Sequence, residues 1–405
     1  MFRRVLSVIP PGVYFRMLFV GYFEGIDSQR GIAWRCGDSL SLRQFLGYTL
    51  KEATPDHSSL TRVRDRLSLE VHEQVFACVL AVAEKHRLLV GRTALVDSTT
   101  LEANAAMKSI VRKDTGEDWQ AYLKRLMQEA GVIGEDDEPT EEELRRFDKN
   151  RKDKKASNKE WGSRTDPDSR ITKMKDGRTH LAYKAEHVVD ADSDLLLAAT
   201  VYQADQADTE TLLESLLIAQ VFLIISQQEP KRIEDAVADK GYHSNQVLAD
   251  CAACHVRTYL PEPKRKKHRW TDKPAAWQVN YRNNRRRVEG ERGRQLSRQR
   301  SEMIERSFAH VCETGGARRT WLRGLEKINK RYQIQTAARN LGVMMRRLFG
   351  IGKPRVLQGG PAADLAACFS CWTAFVASCS PSLLLKRREH HRSSFAKTPH
   401  IVLSI

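Results

Sequence analysis

Apolar positions recur at three- and four-residue spacing through residues 1–90, and two-residue alternation becomes clear only after residue 180. VYFRMLFVGYF (13–23) reads as a short apolar, aromatic helix, and SLSLRQFLGYTL keeps the helical period. Pro55 and Asp56 then precede SSLTRVRDRL, where Ser58 or Ser59 can cap a helix bearing Arg62, Arg64 and Arg66. Two short helices around a turn, the second basic, fit a DNA-reading unit and fit an ordinary packing domain equally well.

RTALVD (92–97) reads as a short buried strand ending in a carboxylate. AYKAEHVV and LLLAATVY flank the polar turn DADSD, which predicts a hairpin. Asp205 and Asp208 open a helix, TETLLESLLIAQVFL, followed by a strand DAVAD, a helix near NQVLADCAA and a strand VRTYLP. The order strand, long insertion, strand, strand, helix, strand, helix, strand suits an α/β fold with a mixed sheet and a hairpin near its start. A helix over roughly 296–312 and a basic amphipathic stretch ending near 350 complete it. Residues 106–178, which carry an acidic run and then a basic one, read as an insertion. The expected domains are therefore a helical, DNA-binding segment 1–90, a catalytic α/β domain 91–350, and a tail 351–405 with no readable architecture.

Charge changes the picture. The chain has 405 residues and a formal charge of +16, which favours a polyanionic partner, nucleic acid first and an anionic membrane surface second. Residues 261–300 hold fourteen Lys or Arg against four acids, with Trp270, Trp277 and Tyr281 among them, a composition suited to contacting phosphates and stacking on bases. Leu365 to Leu385 carries no charge, but Ser, Thr and Pro381 dilute it, so a buried or poorly folded tail is expected over a membrane span. Pro10 and Pro11 interrupt the N-terminal apolar run too early for a signal peptide, and the eight scattered cysteines suit an intracellular, reduced chain. The CxxC pairs at 251/254 and 368/371 are far apart in Ala-rich surroundings and read as free thiols, not a zinc site.

Two apolar strands end in a carboxylate, ALVD at Asp97 and AVAD at Asp239. Such groups are costly when buried without a counter-charge. If the strands are neighbours, both acids emerge at one edge and repel each other, and a divalent cation relieves the repulsion. Hard oxygen ligands suit Mg²⁺ or Mn²⁺, and two ions about 4 Å apart can activate the attacking oxygen and stabilise the leaving oxygen of a phosphodiester. A third acid can come from the helix after the basic block. Ile304, Phe308 and Val311 share one face there; Glu305 lies roughly 90° from its centre, Glu302 and Glu313 about 150° or more away. Glu305 is the expected third ligand. Lys184 shares a strand face with Glu186 and is a candidate phosphate contact; His187 has the opposite parity and reads either as a satisfied core histidine or as a catalytic aid. His243, four residues after Asp239, reads as a DNA contact or a helix cap. Arg318, Arg319, Arg323 and Lys327 are expected along phosphates.

Taken together, VDSTTLEANA, ITKMKDGRTHLAYKAEHVVD, VADKGYHS, ERSFAHVCETGGARRTWLRG and NKRYQIQTAARNLGVMMRRLFG resemble bacterial insertion-sequence transposases of the DDE type, over about residues 36–355. The resemblance implies an RNase H-like fold, with Asp97, Asp239 and Glu305 as the first, second and third catalytic acids. It implies two Mg²⁺ (or Mn²⁺) ions, cleavage of double-stranded DNA at the terminal inverted repeats, and strand transfer of the freed 3′-hydroxyl into target DNA. Many relatives carry an arginine four residues before the glutamate and a lysine about seven after it; here Ser301 and Cys312 stand there. Arg298 or Arg300 can replace the first, and Arg318 or Arg319 the second. The expected setting is a homodimer on DNA at the bacterial nucleoid in the cytoplasm, with no membrane partner. A metal-dependent nuclease of the same fold and an inactive DNA-binding remnant acting as a repressor are the alternatives.

Overall fold

The computed structural model describes residues 9–152, 157–174, 177–227, 229–263 and 270–352. The uncharged stretch 365–385 and the second CxxC lie outside them.

Five helices open the chain: α1 (Pro11–Glu24), α2 (Gln29–Asp38), α3 (Leu40–Leu46), α4 (His57–Arg66) and α5 (Leu69–Lys85). Polar side chains start three of them. Ser28 accepts from the Gly31 amide, Ser39 from Leu42, and Asp56 from Ser59. The cap of α4 is thus Asp56, not Ser58 or Ser59. Its carboxylate is the stronger acceptor for the exposed amides of the first turn.

The strands are β1 (Thr93–Glu102), β2 (Ile110–Arg112), β3 (Trp161–Ser163), β4 (Arg170–Lys173), β5 (Thr179–Asp190), β6 (Leu196–Gln203), β7 (Asp235–Val237) and β8 (Arg257–Tyr259). The main sheet runs β4-β5-β1-β7-β8, with β6 also paired to β5. β5 and β6 form the expected hairpin. β1 is antiparallel to β5 and parallel to β7, so the sheet is mixed. The strand expected to stop at Asp97 continues through Ser98-Thr99-Thr100 to Glu102. β5 is twelve residues long and offers pairing from Asp190 down to Ala182, and the β-branched threonines suit the extension.

Helices cover the sheet: α8 (Asp208–Ser226), α9 (Asn245–Ala253), α10 (Ala275–Glu289), α11 (Glu291–Phe308, continued by a wide turn to Thr314) and α12 (Leu325–Phe349). The insertion has its own elements, α6 (Trp119–Glu129) and α7 (Glu141–Asn150), packed around Leu123, Met127 and Leu144 beside the β2–β3 ribbon. The acidic run there starts α7, where Thr140 and Glu143 form a capping box.

Amides on neighbouring segments close the sheet edges. On α12, Asn329 pairs with both the amide and carbonyl of Val201, Asn340 does the same with Leu196, and Gln333 donates to Ala199 between them. Asn158 serves Ile171 on β4 in the same way, and Asn284 serves Leu260 just past β8. An open edge would invite pairing with another chain; these side chains occupy it.

Among the described residues only α8 is long and apolar enough to cross a membrane. One side of it, with Leu212, Leu216, Ala219, Phe222 and Leu223, is buried, and Phe222 packs on Phe76 of α5. Cys251 and Cys254 of the first CxxC form no disulfide, and burial pushes the Cys251 thiol up to about 12.

Candidate active site

β1 and β7 pair in register, with Leu95 opposite Val237. Asp97 and Asp239 each lie two residues further on, so the two acids leave neighbouring strands at the same level. Burial raises the Asp97 carboxyl above its ordinary range, the Arg300 guanidinium pulls it back, and the Asp239 charge pushes it up again. Asp97 Oδ1 accepts the Ser98 amide at 2.8 Å, and Oδ2 accepts Arg300 Nη1 at 2.6 Å. Asp239 caps the short turn Lys240–Tyr242 by accepting the Gly241 amide at 2.7 Å.

Directly opposite residues of an antiparallel pair share a face, so Asp97 and its partner His187 face the same way. α11 crosses that face. His187 Nδ1 meets Ser307 Oγ at 2.9 Å, its Nε2 meets Tyr332 Oη at 2.7 Å, and its ring stacks on Phe308 at 4.0 Å. Since Ser307 donates to the Ile304 carbonyl, the histidine is the donor in the first bond and accepts in the second. Full burial holds its pKa well below the ordinary value. His187 is thus a neutral, satisfied core histidine.

The same helix settles which way the glutamates point. Ile304, Phe308 and Val311 are buried, as their spacing predicts, while Glu302 and Glu313 are exposed and ion-paired to Arg306 and Arg318. Arg292, Gln299 and Arg306 reach Asp235, Ala191 and Asp194, at the end of the sheet where β1 begins. Glu305 projects about 140° from Arg300 and leaves the helix on the opposite flank, the side to which β1 continues past Asp97. It is exposed and makes no hydrogen bond or ion pair among the described residues. Asp97 and Asp239 are brought together; Glu305 does not join them. No set of three or more His, Cys, Asp or Glu side chains closes around one point among the described residues. The donors present are hard carboxylate oxygens, which fit Mg²⁺ or Mn²⁺.

Two expected DNA contacts are interior. Lys184 is buried, its Nζ 3.3 Å from Asp208 and 3.0 Å from Thr211 Oγ1. α8 lies over its face of the sheet and supplies both partners. His243 is buried with its ring edge on Tyr281, 5.9 Å between centroids. Tyr281 and Trp270 also pack inward, whereas Arg282, Arg285 and Arg286 of α10 are exposed. The basic block therefore presents cations, with two of its three aromatics turned to the core.

Arg318, Arg319 and Arg323 line the outer end of β1. The loop after α11 joins it through Glu102 N–H to the Arg318 carbonyl (3.0 Å) and Thr320 N–H to the Glu102 carbonyl (2.8 Å). Arg318 holds Glu313 and approaches Thr99; Arg319 lies 5.4 Å over the exposed Trp321 ring; Arg323 donates to the Asn104 carbonyl. Lys327 is 3.5 Å from Asp65, and Arg298 is exposed.

A residue not foreseen is Asp208. The chain places it at the start of α8, where its Oδ1 accepts Ser98 Oγ at 3.1 Å beside the Lys184 ammonium. A Cβ on Gly241 would lie 2.9 Å from both Asp208 Oδ2 and Asp239 Oδ1, so the two carboxylates share the wall above that glycine. Beneath them Glu186 is wholly buried, accepting from Thr211 and Tyr242 at 2.8 Å each, and burial raises its pKa. The period-two pattern put Lys184 and Glu186 on one face; only the packing of α8 shows what meets them.

The sheet is mixed, with antiparallel β5–β1, parallel β1–β7 and helices on both faces, as in the RNase H-like fold that a DDE transposase domain implies. The family model "Transposase DDE domain" matches residues 134–341, just over half of the chain, and "Transposase domain (DUF772)" matches 7–66. The chain belongs to the DDE transposases of insertion sequences. That family generally uses divalent metal ions and takes DNA as substrate. Asp97 and β1 fall between the two matched spans, while Asp239 and Glu305 fall inside the second. No curated protein and no solved structure matches the chain.

Proposed function

We propose that this transposase cleaves and joins phosphodiester bonds at the inverted-repeat ends of its own insertion sequence, with Asp97, Asp239 and Glu305 as its catalytic acids. The carrying observation is the parallel register of β1 and β7, which sets Asp97 and Asp239 side by side on a helix-covered sheet. Two divalent ions, Mg²⁺ or Mn²⁺, bound to these carboxylates would activate the attacking oxygen and neutralise the leaving one.

The residues of the chain position and neutralise. Asp97 and Asp239 present carboxylates at one level, each oriented by a backbone amide, Ser98 and Gly241. Glu305, on the open flank of α11, would complete the carboxylate set that holds the ions. Arg298, Arg300, Arg318, Arg319, Arg323 and Lys327 take phosphates, and the first helices carry further duplex contacts. Such chemistry asks little covalent work of the protein, since positioning and charge neutralisation dominate. Water attacks first and the freed 3′-hydroxyl second. Two element ends handled together call for a homodimer on DNA.

The test is incubation of the full chain with end-bearing DNA and Mg²⁺. Nicked ends together with joined products support the transposase. Nicking alone reassigns the protein as a nuclease of the same fold, and binding without either as a DNA-binding remnant.

A further inference from the structure

The only cation paired with Asp97 among the described residues is Arg300, 2.6 Å away, with 13% of the arginine side chain and 32% of the aspartate exposed. A part-buried carboxylate beside a second one needs a counter-charge, and here a guanidinium supplies it. The other Asp97 oxygen is already on the Ser98 amide. A divalent cation and a guanidinium on the same oxygen repel, so each weakens the hold of the other there. The helix carrying Arg300 is pinned across the sheet by Arg292 to Asp235 (2.6 Å), Gln299 to Ala191 (2.6 Å) and His187 to Ser307 (2.9 Å). The moving part is therefore the Arg300 side chain, not α11.

We propose that Arg300 gates the metal site: its guanidinium occupies Asp97 in the DNA-free protein, and a DNA phosphate draws it off and opens that carboxylate to the cation. A phosphate is the better partner, because it offers the guanidinium two parallel charge-assisted hydrogen bonds where Asp97 takes one. The gate ties cation binding to DNA binding, so the hydrolytic site is not assembled away from its substrate. This inference rests on the reading of Asp97 as a metal ligand.

The experiment is Mn²⁺ titration calorimetry of the full chain without DNA, on wild type, Arg300→Gln, Arg300→Lys, Asp97→Asn and the double variant Arg300→Gln/Asp97→Asn, with thermal melts to verify folding. Removing one part-enclosed counter-charge should tighten Mn²⁺ binding about tenfold in Arg300→Gln. Arg300→Lys, which keeps a charge, should stay near wild type, and the double variant should lose the gain. Equal or weaker binding in Arg300→Gln, with Asp97→Asn still weakening it, overturns the gate and leaves the metal reading standing. Binding indifferent to Asp97→Asn in every background overturns the metal reading and the gate with it.

Discussion

His187 Nδ1 donates to the Ser307 hydroxyl at 2.9 Å, and this bond between β5 and α11 fixes where the helix bearing Arg300 and Glu305 crosses the sheet. His187 sits opposite Asp97 in the strand pairing, so the crossing point and the first acid share one reference. Ser307→Ala should cost about 1–3 kcal/mol in urea denaturation, since it removes the bond from His187 and the bond to the Ile304 carbonyl. DNA cleavage should fall further than that loss of stability explains, because Glu305 rides on the displaced helix. Full cleavage at the reduced stability would show that the bond is structural only.

Asn340 occupies both the amide and the carbonyl of Leu196 on the β6 edge, at 2.8 Å each. Asn340→Ala strands two buried backbone groups and should cost about 2–4 kcal/mol. Light scattering should rise as well, since the edge then becomes available to a second chain. A melt within 1 °C of wild type would exclude this role.

Gly241 lies under Asp208 and Asp239 with no room for a methyl group. Its φ is not in the left-handed region, so Gly241→Ala tests crowding without backbone strain. Cleavage should drop about tenfold or more, as expected for an acid displaced by a fraction of an ångström, while the melting temperature changes little. Equal losses of activity and stability would point to a folding defect instead.

Burial lowers the pKa of His72 to about 4, and its Nδ1 donates to the Ser68 carbonyl at 2.9 Å, so the Tyr14 hydroxyl donates to its Nε2. The neutral ring is the folded form. Between about pH 4 and 6.5 the unfolded chain binds the proton that the folded chain refuses, so stability rises with pH across that window and is lost as the pH falls. The share from this group is on the order of 3 kcal/mol. Melting temperatures at pH 7 and pH 5 should differ less for His72→Gln than for wild type; identical differences would exclude His72.

Much of this arrangement is legible in the chain, and the gaps have physical causes. ALVD and AVAD marked Asp97 and Asp239 because apolar runs seldom end in a bare carboxylate. The spacing of Ile304, Phe308 and Val311 fixed the buried face of α11 and turned Glu302 and Glu313 outward. The extension of β1 was missed because STTLEANAA is rich in helix formers, and only the length of β5 overrides them. Lys184 looked available to DNA because strand parity says which face a residue takes, not which helix covers it; His243 was read from its place four residues after Asp239, which does not show Tyr281 against its ring. Asp208 read as a helix start, which it is; that this start meets Ser98 depends on the path of α8 across the sheet.

The central claim, that three acids 142 and 66 residues apart along the chain share bound cations, is tested most directly by iron-directed self-cleavage. Fe²⁺ replaces Mg²⁺ in the DNA-bound protein, ascorbate and peroxide generate hydroxyl radicals at the metal, and the cut positions in the chain are mapped by mass spectrometry. The account predicts backbone cuts beside residues 97, 239 and 305, all lost in Asp239→Asn. Cuts confined to 97 and 239, or a pattern indifferent to that substitution, would contradict it.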